Sequence, residues 1–136
     1  MNWVVTNMKW IMIVSGALTC TMIYALVAPQ AALRTTFGES LEGPLAEIVV
    51  RNWGALIALV GGMLIYGAYH PPVRPLVLTV AGLSKLVFIG LVVWHGPYYL
   101  GSVGLSIGID LLMVVLFGGY LIGVRRAQSA AGGRER

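Results

Sequence analysis

The stretch LVLTVAGLSKLVFIGLVVW at residues 76–94 decides the fold. It holds one charged residue, Lys85, in nineteen. As an α-helix it would extend about 28 Å at 1.5 Å per residue, close to the roughly 30 Å of hydrocarbon in a bilayer. Pro71, Pro72 and Pro75 stand before it and His95-Gly96-Pro97 after it, so both ends are marked by helix breakers. A buried strand is far shorter than such a run, and a soluble helix carries a polar face that this one lacks.

Working outward, three further apolar runs are read as spans: residues 10–27, 46–69 and 100–124, with the first run continuous at 76–94. Lys9 and Trp10 open the first and Pro29 closes it; His70-Pro71-Pro72 ends the second. Trp94, Tyr98 and Tyr99 suit an interfacial aromatic belt. The whole chain is 136 residues, 58% hydrophobic and 10% charged, whereas soluble domains carry about a quarter charged residues. The expected fold is all-α: an integral membrane four-helix bundle over residues 1–126 as one domain, followed by a basic tail at 127–136. The longest connection, 29–46, contains Arg34, Glu39 and Glu42 among Gly38, Gly43 and Pro44, and part of it is expected to lie as a short surface helix.

Orientation follows from counting Lys and Arg. Lys9, Arg74, Arg125, Arg126, Arg134 and Arg136 fall on one side, against Arg34 in the opposite loop and Arg51 just inside the second span. The positive-inside rule then places both termini in the cytoplasm, with the chain expected in the cell (inner) membrane. The net charge of +4 is concentrated in the C-terminal flank, which suits contact with anionic lipid headgroups and excludes a nucleic-acid surface. The one cysteine, Cys20, has no disulfide partner. Ala17 stands where a lipoprotein cleavage site needs a large aliphatic residue, and Pro29 after Ala28 disfavours signal-peptide cleavage, so the first run is kept as a span.

Three ionisable residues lie inside spans: Arg51, Lys85 and Asp110. Each costs about 2.5–3.5 kcal/mol at the bilayer centre on insertion scales, so each calls for a partner. Lys85 is nine residues from Trp94, and Asp110 ten from Leu100. The two therefore share one depth on helices joined by a tight turn, and they are expected to pair. Arg51 lies about 6 Å nearer the outer side; it is within reach of Asp110, of the interface, or of Glu47 one turn earlier. Asn52, Ser84 and Ser106 are neighbouring hydrogen-bonding groups, and His95 marks a cavity mouth. Arg51, Lys85, Asp110, Glu47, Asn52, Ser106 and His95 form the candidate ligand-binding set. Two cations about one carboxylate would leave a surplus positive charge, suited to a carboxylate, a phosphate or a quinone carbonyl. The alternative is a set of ion pairs that only fixes packing. His70 and His95 lie at opposite membrane faces and cannot share a metal, and no metal site, hydrolase motif or nucleotide-binding loop is found.

Small residues foretell close helix approach. Gly54, Ala55, Ala58 and Gly62 share a face with Arg51, and Gly101, Gly104, Gly108, Gly119 and Gly123 recur along the fourth span. These faces are candidates for homo-oligomer contacts or for docking into a larger membrane complex.

The second-span run Arg51-Asn52-Trp53-Gly54 and the third-span run Ala81-Gly82-Leu83-Ser84-Lys85-Leu86 resemble the DoxX-like group of small four-helix bacterial membrane proteins, over most of residues 8–124. That resemblance implies a membrane subunit of an oxidoreductase, with quinone as the candidate cofactor. Lacking a cysteine pair, the chain would not itself pass electrons through a dithiol. A small proton-coupled transporter is a competing class, weakened because the first span has no acidic residue. A purely structural or assembly subunit is another. A fourth is an enzyme acting on a lipid or sterol-like substrate with Asp110 or His95 as acid or base.

Overall fold

The computed structural model describes residues 2–134, and all the regular secondary structure among them is helical. Six α-helices follow in order: α1 (Asn2–Cys20), α2 (Ile23–Val27), α3 (Pro29–Phe37), α4 (Pro44–Tyr69), α5 (Arg74–His95) and α6 (Leu100–Gly132). Single 3₁₀ turns at Pro71–Val73 and Pro97–Tyr99 join α4 to α5 and α5 to α6. Four segments are long and apolar enough to cross a membrane: α1 with α2, then α4, α5 and α6. The chain is thus a multi-pass membrane helix bundle. Neighbours in sequence pack together, and α1 closes the ring against α6.

The first helix starts at Asn2, eight residues before the expected boundary at Trp10, because nothing between them breaks a helix. Met8 and Met12, one turn apart, are fully buried. They join Leu64 and Ala68 of α4, Leu78 and Ala81 of α5, and Met113, Phe117 and Tyr120 of α6 in the main core. This core fills the half of the bundle that carries the termini. At the far end of the chain, the helix runs past Arg125 and Arg126 to Gly132, so most of the expected tail is helical. Arg136 lies outside the described residues.

The first span is not one helix. Between α1 and α2 the N–H groups of Thr21 and Met22 bond back three residues, to Leu18 O at 3.3 Å and Thr19 O at 3.2 Å. Thr19 Oγ1 donates to Ser15 O at 2.7 Å and Thr21 Oγ1 to Leu18 O at 2.5 Å. Hydroxyls that bond to carbonyls of the preceding turn bend helices, and two occur here within three residues. Pro29, at the first turn of α3, starts a new helix after Val27.

Packing of the first span on α4 runs through small residues. A Cβ on Gly61 would lie 2.7 Å from Cys20 N and Sγ, and one on Gly54 would lie 2.7 Å from Ala25 Cβ. Gly62, expected on this face, meets nothing within 4 Å and is exposed; it is one residue, hence about 100°, out of register with Gly61. In α6, Gly101, Gly104, Gly108 and Gly119 likewise meet nothing, whereas Gly123 faces Val5.

The long connection does contain a short helix, α3. Its Pro29 is buried, and its Ala32 and Leu33 pack with Ala25 and Val50 in a second, smaller core. Gly38, at φ 77°, ends it in the left-handed conformation, with its N–H bonded to Arg34 O. Phe37 then projects onto an aromatic cluster, with ring centroids 6.1 Å from Trp53, 6.5 Å from Phe88 and 5.6 Å from Tyr99. Tyr99 donates its hydroxyl hydrogen bond to Glu39 Oε2 at 2.8 Å. The end of the bundle opposite the termini is therefore closed by an aromatic lid.

Candidate functional site

Between the core and this lid the four spans and α3 line a partly open cavity of about 240 Å³. Its position follows from sequence. Below it, bulky residues such as Phe117, Leu64 and Leu78 fill the bundle axis. At the cavity level α5 and α6 present the small residues Ala81, Ser84 and Ser106, and the first span contributes its break at Thr21–Met22. Above it stand Trp53 and Phe88, which also touch Phe37. Apolar atoms dominate the walls, with Leu18, Ile57, Val60 and Ile109 between polar groups from the first span, α3, α5 and α6.

The charged element of that wall is an ion pair. Lys85 Nζ lies 2.7 Å from Asp110 Oδ1, a charge-assisted hydrogen bond between α5 and α6. The two side chains are 10% and 20% exposed, so both have left bulk solvent. Equal depth and a tight turn brought them together, as their spacing in sequence led us to expect. Among the described residues this is the only ion pair. Asp110 Oδ1 takes one of the three N–H donors of Lys85, and no other hydrogen-bond partner of Nζ is found among the described residues.

Arg51 takes a different position from the one that would complete a charged cluster. Its Nη1 donates to Leu26 O at 2.5 Å, at the C-terminal end of α2. A cation there meets the negative end of the helix dipole and satisfies a terminal carbonyl. Asp110 thus faces one cation rather than two, and the expected surplus of positive charge beside it is replaced by a neutral pair. Arg74 has the same task elsewhere: its guanidinium donates to Gly67 O at 3.0 Å and Ala68 O at 2.6 Å, closing the end of α4.

Of the remaining candidates, Ser84 and Ser106 both line the cavity. Glu47 stands in the first turn of α4, Asn52 is exposed on that helix, and His95 is exposed in the last turn of α5; none of the three lines the cavity. Sequence reasoning missed Thr19, Thr21, Thr36, Trp53 and Phe88, all of which line it. A depth count like the one applied to Lys85 would have put Phe88 one turn from it, but not on which side of the ring of helices.

The first span adds irregular backbone at membrane depth. Such backbone is tolerated only where it is buried in protein or faces a cavity, and Leu18, Thr19, Thr21 and Met22 at the break all line this one. Broken helix, ion pair and cavity coincide. No known family model, curated protein or solved structure matches the chain.

Proposed function

We propose that this chain binds a small, uncharged amphipathic molecule beside Lys85 and Asp110, with a quinone as the leading candidate. The observation that carries this is the cavity itself, walled by apolar side chains and by a lysine with donors to spare. A cavity of about 150 Å³ takes up benzene, so about 240 Å³ suits one substituted ring. A neutral pair favours a dipolar acceptor such as a carbonyl over an anion. A hydrogen bond from a charged donor to it contributes about 1.5–3 kcal/mol.

The Lys and Arg count supports a cytoplasmic location for both termini at an inner membrane, which puts the lid on the outer side. The motifs around Arg51 and Lys85 support kinship with the DoxX-like group, and with it a role as the membrane subunit that holds the acceptor in an oxidoreductase. Redox chemistry then belongs to a partner subunit.

Titration with a tail-less dimethoxy-methyl-benzoquinone tests the binding. Trp53 should report it in a variant with Trp3, Trp10 and Trp94 replaced by Phe. Saturable quenching is expected, and it should vanish in Lys85→Met/Asp110→Leu. Quenching that rises linearly without saturation would sink the assignment.

A second reading, a structural subunit, is favoured by one observation. Gly101, Gly104 and Gly108 leave one face of α6 bare, as a helix–helix contact requires. Cross-linking in membranes through Gly104→Cys, in a Cys20→Ala background, would show a dimer or a larger partner if that face is occupied.

A further inference from the structure

From the way burial changes along α6, we infer that the cavity is loaded sideways from the lipid, through a gap between the first span and α6. The ligand is then a lipid-soluble molecule whose ring-sized head enters and whose apolar tail stays in the bilayer. This rests on the binding proposed above and specifies its ligand class and route.

One stripe of α6 runs through Ser102, Ser106, Ile109, Met113, Phe117 and Tyr120, at spacings of four and three. Its lower three residues are buried, and its upper three are exposed. The first span shows the same change. On the face that carries Val4, Ile11 and Leu18, Val4 and Ile11 are half-buried against the core that holds Met113 and Phe117, but Leu18 is 48% exposed and Thr21 beyond it is exposed. The two helices touch near the termini and part above them.

The cavity reaches that gap. Five of its lining residues are exposed: Leu18, Thr21, Ser84, Ser106 and Ile109. Four belong to the first span and α6, and only Ser84 belongs to α5. From Met113 below to Ser102, which meets Gly38 above, the gap is about 16 Å tall at 1.5 Å per residue. That height admits a ring.

Partition decides the route. Each methylene favours hydrocarbon over water by roughly fourfold, so a decyl tail favours it by roughly a millionfold. A tailed ligand arriving through the aromatic lid would have to draw that tail through water. Through the gap, the tail never leaves lipid. The volume agrees, because about 240 Å³ holds a head and leaves no room for a long chain.

Photolabelling of the unaltered protein in phosphatidylcholine nanodiscs tests this. The probe is the dimethoxy-methyl-benzoquinone ring with a decyl tail that carries a diazirine next to the ring. Irradiation is done with and without excess tail-less ring. Adducts lost on adding the ring should map to residues 17–26 and 102–112. Ring-sensitive adducts at Leu56, Leu59, Leu83 or Val87, or in residues 38–43, would overturn the route and leave the cavity occupied. If no adduct responds to the ring while Trp53 quenching still saturates, the sideways route alone fails. If quenching does not saturate either, the binding proposal fails with it.

Discussion

Lys85 and Asp110 depend on each other more than either does on its surroundings. Removing one partner leaves an uncompensated charge in a largely buried site, which costs about 3–5 kcal/mol, whereas replacing both by apolar groups is often neutral. Lys85→Met alone should therefore lower the unfolding temperature in micelles more than Lys85→Met/Asp110→Leu does. Equal destabilisation by the single and double changes would show that the pair adds nothing. Arg51→Met should behave differently. It frees Leu26 O and costs about 1.5–3 kcal/mol, yet it leaves saturable Trp53 quenching intact, since Arg51 does not reach the cavity. The Lys85–Asp110 pair was legible because depth can be counted along a helix. The partner of Arg51 was not, because a backbone carbonyl has no signature in sequence, and Glu47 four residues away was the more visible acceptor.

Helix faces are the next level at which the molecule can be probed. Gly61→Leu would drive a side chain into Cys20 and Gly16 O, and a cost of about 1–3 kcal/mol is expected for such overpacking. Gly62→Leu, one residue on, points into open space and should leave the unfolding temperature unchanged or raise it slightly. If both behave alike, α1 does not lie on α4 as described. The four long apolar segments were read directly from composition and punctuation. The break at Thr21–Met22 was not, since Thr19 and Thr21 each occur freely inside apolar helices. The break coincides with both hydroxyl bonds and with the close approach of α4 to Ala25. Likewise the short helix after Pro29 was foreseen, but the aromatic contacts of Phe37 were not, because they join four separate elements.

At the scale of the whole molecule, orientation is the proposal with the most direct check. With Cys20→Ala as background, a cysteine at Ser40 should react with a membrane-impermeant maleimide in intact cells, and one at Gln128 should react only after lysis. The reverse pattern would invert the molecule and place the aromatic lid inside.

The neutrality of the central pair reaches beyond binding. One elementary charge moved across a membrane feels about 2.3 kcal/mol per 100 mV, so an unpaired Lys85 that shifted on binding would couple the site to the membrane potential. Held 2.7 Å from Asp110, it presents the transmembrane field with a short dipole instead. Taking up an uncharged head beside that dipole displaces almost no charge. A potassium diffusion potential set with valinomycin should therefore leave the Trp53 titration where it was. The bundle would fill and empty alike in energised and de-energised cells, answering only to how much ligand the membrane holds.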